Sequence, residues 1–375
     1  MGEASHGSAE FYEMRARISQ ELIEKKGFNI IAIEADWPDA NYINHYIHNT
    51  SPDPLLDTAP FSRFPTWMWA NQSVLKFTRW LRDYNLTIAE NNHSVGFYGL
   101  DLYSLNSSIE AVLNYLESVD PETAELARGR YGCLTPWAKD PAVYGQVMLT
   151  KQYKKCEKDV LATLRDLLKA RLNYAHADGQ RYFDAEQNAR LVANAERYYR
   201  TLYYAEQNSW NQRDQHMFDT LQSILSFRGK NSKAIIWAHN SHVGDARSTQ
   251  MNARGEFNIG QLVREHYRRS AYLIGFGTDH GTVAAASEWG VPLPQPMMEF
   301  LRLRLPAVTV RDAVLTGKRY AADDAIAAGF ADGKAPVEYL LSMAIELATD
   351  LACKEPGIFK AIKQAYYAPI VAGLK

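Results

Sequence analysis

A chain of 375 residues, 46% hydrophobic and 12% aromatic, exceeds a usual single domain and has the apolar side chains for a large core. Its formal net charge of −2 and pI near 6.6 lack the basic clustering that nucleic acids or membrane surfaces select, so neither partner is expected. No apolar run reaches the roughly eighteen residues of a membrane helix and no leader pattern opens the chain; with Cys133, Cys156 and Cys353 odd in number and without metal spacing, a cytoplasmic protein with buried free thiols is expected.

The first element, Gly2-Glu3-Ala4-Ser5-His6-Gly7, has the form of a strand end breaking into a loop. Met1 stands directly before it, so the strand that should deliver this loop is expected to be missing, unless another segment supplies the sheet edge. Residues Ala9 to Lys26 place Phe11, Met14, Ile18 and Leu22 at helical spacing, and Gly27 is a stop. A buried strand follows from Phe28 to Ile33, ending in Glu34-Ala35-Asp36-Trp37-Pro38. Further strands are expected at Ser94 to Leu100, ending at Asp101, at Lys233 to Ala238, ending at His239, and at Ala271 to Phe276. Between the second and third lies a long helical region, broken around Tyr131 to Pro141 and resuming from Phe183 to Phe227, a candidate lid. Strands separated by helices predict an α/β fold: a mainly parallel central sheet flanked by helices, with a long helical insertion and a helical C-terminal appendage.

In such sheets ligands collect outside the carboxyl ends of the strands. If those ends open on one crevice, His6, His239 and His242 meet Glu3 and Glu34 there, a set suited to hydrolysis. Histidine takes a proton from water near neutral pH with little tuning, and His6 is the expected base. Glu3 or Glu34 would orient it, while Arg15, His239 and His242 are candidates to stabilise an oxyanion. Glu3, His6, Glu34, His239 and His242 could alternatively ligate a divalent ion, although the histidine spacing is not that of a helical zinc motif. A serine nucleophile at Ser5 is disfavoured because the Gly-x-Ser-x-Gly elbow is absent. Plainer roles are expected elsewhere: Asp36 caps the turn before Pro38, Asp101 holds a loop, and Arg213 with Asp214 forms an ion pair on a helix starting near Asn211. The aromatic groups Trp67 to Trp69 and Tyr198, Tyr199, Tyr203 and Tyr204 belong to the core before they belong to a substrate wall.

Gly2 to Gly7, Ile33 to Pro38, Gly96-Phe97-Tyr98-Gly99-Leu100-Asp101, Asn211-Gln212-Arg213-Asp214 and Trp237-Ala238-His239-Asn240-Ser241-His242 together resemble the erythromycin esterase family, from Gly2 to about Trp289. The resemblance implies an α/β core with helical insertions and cleavage of a macrolide lactone, or another small-molecule ester, by histidine-activated water. It implies no metal or other cofactor. The family's functional positions fall on Glu3, His6, Arg15, Glu34, His239 and His242.

After Trp289-Gly290 the composition changes. Arg311-Asp312-Ala313-Val314-Leu315-Thr316-Gly317-Lys318-Arg319-Tyr320, followed by Ala325 to Asp332, resembles the C-terminal part of the enoyl-CoA hydratase/isomerase (crotonase) superfamily. The expected organisation is therefore 1–290, esterase-like, and 291–375, a crotonase-like helical fragment. The parts of a crotonase that carry its oxyanion hole and catalytic carboxylate have no counterpart here, so acyl-CoA chemistry is not expected and a fusion is the simpler origin. Helices at that place in crotonases meet neighbouring subunits, which would allow self-association through Leu340 to Leu351. A binding protein that has lost turnover is the alternative function.

Overall fold

Four parallel strands, β1 (Gly2–Glu3), β2 (Ile30–Asp36), β3 (Gly96–Asp101) and β4 (Ala234–His239), lie in the spatial order β1-β4-β2-β3. The computed structural model describes residues 1–50, 60–61, 68–88, 94–137, 140–149, 155–203 and 206–277, and beyond these only 305–306, 308–309 and 322–328. All seven residues of β2 are buried, because β4 and β3 flank it and helices cover both faces. That is why its first four residues, Ile30 to Ile33, form an unbroken apolar run rather than an alternating one. Alternation survives in the packing: Ile30 and Ala32 share a core with Tyr98 and Leu100 on one face, while Ile31 and Ile33 meet Phe97, Ile235 and Trp237 on the other.

Three helices build the second of these cores. Helix α1 (Ala9–Lys26) stops at Gly27, whose φ of 66° lets its N–H reach Ile23 O while Phe28 N–H reaches Leu22 O. Helix α2 (Trp37–Ile47) starts directly from β2, with Pro38 in its first turn, and the Asn44 side chain accepts from Phe97 N at 2.9 Å. Helix α3 (Gln72–Thr87) is capped by Asn71, which accepts from Val74 N at 3.0 Å.

The long insertion forms the other layer: α4 (Leu105–Val119), α5 (Pro121–Tyr131), α6 (Pro141–Leu149), α7 (Glu157–Lys169), α8 (Arg171–Ala177), α9 (Gly179–Thr201) and α10 (Glu206–Arg228). Helix α9 packs against α4, α6, α7, α8 and α10, and α10 lies on β3. Expected as a lid, these helices instead share the core of Ile30 and Leu100, because their buried side chains are the apolar cover that face of the sheet requires. The chain then turns through α11 (Asn240–Val243), α12 (Gln250–Ala253) and α13 (Ile259–Tyr267).

Three expectations need correction. The strand thought missing is present as a stub: Gly2 and Glu3 pair with Ala238 and His239, and the Met1 ammonium donates to Ile236 O at 2.7 Å. The apolar run 271–276 forms no ladder; it touches β1 through Gly2 N–H to Ile274 O at 2.7 Å, too little pairing for a strand. Cys133 and Cys156 are not free thiols but a disulfide, Cα atoms 5.9 Å apart, because α5 and α7 pack against each other and bring the two residues together. Cys353 lies outside the described residues.

The chain divides into two compact units, Met1–Ala284 and Ala285–Lys375. In the second, a short helix, Ala322–Ala327, is described; the rest of the crotonase-like signature and Leu340 to Leu351 fall outside the described residues. Among the described residues no helix is long and apolar enough to cross a membrane.

Candidate active site

Parallel pairing aligns the carboxyl ends of all four strands, with Glu3 opposite His239 and Asp36 opposite Asp101. The last pairing follows a register shift between Ile33 and Asp36. Gly99 permits it, since a Cβ there would stand 2.5 Å from the carbonyl oxygens of Ala35 and Asp36.

At the β1 end, the wholly buried Glu3 carboxylate accepts from two sides. Oε1 lies 2.8 Å from His6 Nδ1 and Oε2 accepts from Arg15 Nη2 at 2.8 Å. Since a carboxylate only accepts, Nδ1 of a neutral His6 must carry the hydrogen, which leaves the Nε2 lone pair unprotonated. Among the described residues Nε2 has no hydrogen-bond partner, and the side chain is 25% exposed. Arg15 sits behind Glu3. Its guanidinium lies 4.7 Å from the Tyr12 ring, 5.0 Å from Trp237 and 5.8 Å from Trp69, and among the described residues Nε and Nη1 find no acceptor. Burial lowers its proton affinity, and the neighbouring Glu3 works against that loss. Trp69 was expected in the core and lies there, while Tyr12 and Trp237 had no assigned role; the faces of all three stand against the guanidinium.

At the β4 end, His239 occupies the N-cap of α11. Its backbone N–H donates to Glu34 Oε2 at 2.8 Å, its Nδ1 accepts from Ser241 N at 3.1 Å, and its Nε2 lies 3.0 Å from Ala4 O. A carbonyl can only accept, so His239 is the Nε2–H tautomer with both ring nitrogens engaged. Its ring centroid stands 5.2 Å from that of His6.

His242, one turn further, is 2% exposed and held by four groups. Asp214 accepts from Nδ1 at 2.9 and 3.0 Å, Glu34 Oε1 lies 3.3 Å from Nε2, Arg213 Nη1 lies 2.9 Å from the same nitrogen, and the Trp210 indole stacks at 4.5 Å. Burial opposes a charged ring here, but Glu34 and Asp214 outweigh it and raise the pKa from 6.5 to about 9. The Arg213 contact would suit a neutral acceptor. Charge balance decides for the cation, since Glu34, Asp101 and Asp214 would otherwise face Arg213 alone in a buried cluster. Burial likewise would raise Glu34, yet His242 and Arg213 hold it well below the usual carboxylate range.

The raised folded value makes a pH prediction with a definite sign. The stability His242 contributes is complete below pH 6.5 and is lost as pH rises through about 9. Denaturant unfolding at pH 6 and pH 10 should show the parent losing on the order of 2–3 kcal/mol more than His242→Gln across that interval. Parallel pH curves for the two proteins would refute the charged ring.

Arg213 and Asp214 do not pair with each other, contrary to expectation. Neighbours on a helix point about 100° apart, and the two side chains take different partners. Arg213 donates from Nε and Nη2 to both oxygens of Asp101 at 2.9 and 2.7 Å, and from Nη2 to Glu34 Oε1 at 2.7 Å, while Asp214 takes His242 and the Ile259 N–H. Nor does the Asp36 side chain cap α2; it accepts from Tyr103 N at 2.7 Å. Asp101 does hold its loop, accepting from Leu102 N, and binds Arg213 as well. Tyr198 and Tyr199 are buried and reach Tyr103, which lies under the Arg213 guanidinium at 4.9 Å, whereas Trp67 and Tyr204 fall outside the described residues. Among the described residues no three histidine, cysteine or acidic side chains are placed to hold a metal ion.

The sequence profile of the family described as erythromycin esterase matches residues 23–300, well over half of the chain. This chain belongs to the erythromycin esterase family. The matched span contains Glu34, Asp101, Arg213, Asp214, His239 and His242; Glu3, His6 and Arg15 precede it and join the site through the β1–β4 pairing. Among relatives, YbfO of Bacillus subtilis (strain 168), a protein named only as a hydrolase, is 23% identical over 77% of this chain and 66% of its own length. Erythromycin esterase type I of Escherichia coli is 22% identical over 83% of this chain and 76% of its own. The crystal structure of a Bacillus cereus protein superposes with a TM-score of 0.60 at 21% identity, covering 73% of this chain and 64% of that one. The chain thus spans about two thirds of the length of YbfO and of the Bacillus cereus protein.

Proposed function

We propose that this erythromycin esterase family member is a hydrolase that cleaves a carboxylic ester through water activated by His6. The observation that carries the proposal is the Glu3–His6 pair: Nδ1 bonded to a buried carboxylate, Nε2 free and partly exposed. In the reaction Nε2 takes a proton from water as its oxygen attacks the ester carbonyl. Glu3 stabilises the imidazolium, and the proton passes to the departing alkoxide as the tetrahedral intermediate collapses. Among the three candidates for the oxyanion, Arg15 and His242 are buried behind other groups. His239 is the one we assign, with its Nε2–H exchanging Ala4 O for the substrate oxygen, 5.2 Å ring to ring from the base. Glu34, Arg15 and His242 act behind this face as positioning residues.

A small-molecule ester is the partner, and a macrolide lactone is the first to try, since relatives carry the name of such an activity. Mass spectrometry of erythromycin incubated with the purified chain, with and without a chelator, is the test. A gain of one water that survives chelation is the expected outcome. Gain lost with chelator would replace the histidine mechanism by a metal-assisted one. No gain with erythromycin or with simple activated esters, from folded protein, would overturn the proposal and favour a binding protein without turnover. The crotonase-like segment plays no part in the chemistry proposed.

A further inference from the structure

Arg213 comes from the middle of α10, in the helical layer, while the other groups it meets come from strand ends. Its side chain is 13% exposed; it binds both oxygens of Asp101 and Oε1 of Glu34, and its Nη1 stands 2.9 Å from Nε2 of His242. The face of the group rests on Tyr103, itself fixed by Asp36 through its N–H and by Tyr199 through its carbonyl. Glu34 divides its two oxygens between Arg213 and the His239 backbone N–H. A continuous chain of short contacts therefore runs from α10 through Glu34 to the first turn of α11, where the His239 ring faces His6.

We infer that Arg213 is a positioning residue for the reaction proposed above: it braces Glu34 and His242 so that α11 presents His239 at a set distance from His6. The inference rests on that reading for its catalytic consequence and on geometry alone for the brace. Only a planar group with a fixed fork of donors can serve both Asp101 oxygens and Glu34 Oε1 together, from Nε and Nη2; an ammonium offers one point of attachment and cannot span them. The positive charge also opposes proton binding by His242, which otherwise faces Glu34 and Asp214.

The test combines Arg213→Lys with Arg213→Ala plus millimolar guanidinium chloride. With an ester that the parent hydrolyses, p-nitrophenyl acetate or erythromycin, Arg213→Lys should lose about 100-fold in kcat with little change in KM, the signature of displaced catalytic groups rather than weakened binding. Guanidinium should restore part of the activity of Arg213→Ala and none of that of a His6→Ala control. In parallel, the NMR titration of the His242 ring should move to higher pH in Arg213→Ala and return on adding guanidinium. Parental kcat in Arg213→Lys, or a His242 midpoint untouched by loss of Arg213, would overturn the brace. Should the parent hydrolyse no ester, the hydrolytic reading fails by itself and the His242 titration still decides for or against Arg213. Should Arg213→Ala not fold, the kcat of Arg213→Lys decides.

Discussion

Replacing His6 with alanine is expected to lower ester turnover about a thousandfold while leaving ligand affinity within a few fold, the scale of a lost general base. The side chain lies in the loop after β1, 25% exposed, and among the described residues its one hydrogen bond is to Glu3. Removing it leaves Glu3 still paired with Arg15 at 2.8 Å, so no buried charge is stranded and the fold should hold. Turnover and binding therefore separate cleanly at this position. Isothermal titration with an uncleaved substrate analogue, set beside initial rates, makes the comparison. Unchanged turnover in the variant would remove His6 from the mechanism. Glu3→Gln should fall in the same direction by a smaller factor, because an amide can still orient the ring but cannot balance the imidazolium.

Glu34→Ala is expected to cost about 3–5 kcal/mol of stability, the range for breaking a buried ion pair from one side. Three groups depend on this carboxylate: Arg213 Nη2 and His242 Nε2 at Oε1, and the His239 N–H at Oε2. Alanine would leave a buried guanidinium with Asp101 alone, an imidazolium with Asp214 alone and an N-terminal helix N–H with no acceptor. Glu34 is held well below its ordinary 4.5, so its contribution is present above that pH and is lost only as pH falls further towards the depressed folded value. Denaturant unfolding at neutral pH measures the difference. A loss under about 1 kcal/mol would place Glu34 with solvent-screened surface pairs and dissolve the proposed cluster. The contrast between the two variants is informative. His6 should matter to rate and little to stability, Glu34 to both.

Local signals were strong where one residue type settles backbone geometry. Gly27 terminates α1 because its left-handed conformation closes the helix, and the apolar run ending at Glu34 is a strand because a run that short and uniformly apolar suits burial on both faces. The run 271–276 has the same character and still forms no ladder, since a strand also needs a neighbour along its length. The Cys133–Cys156 bond was hidden for a related reason: the two residues stand 23 positions apart, and helical spacing in α5 and α7 reveals nothing of their docking.

At the site, composition at strand ends was enough to nominate Glu3, His6, Glu34, His239 and His242, because parallel strands bring their carboxyl ends to one edge of the sheet. Which of these groups faces outward could not be read from the chain. His6 and His242 look alike in sequence, each a histidine just past a strand end, yet one has a free nitrogen near solvent and the other is enclosed by Asp214, Glu34, Arg213 and Trp210. The difference comes from α10, whose packing on β3 delivers Arg213 and Asp214 to side chains more than a hundred residues away along the chain or on the next turn of the sheet edge. Sequence by itself determined the parallel sheet, its helical cover and the residue types gathered at its edge, since these follow from periodicity and local backbone preference. Tertiary structure alone decided which carboxylate holds which base, because hydrogen-bond partners and burial depend on distances that only the packed layers create.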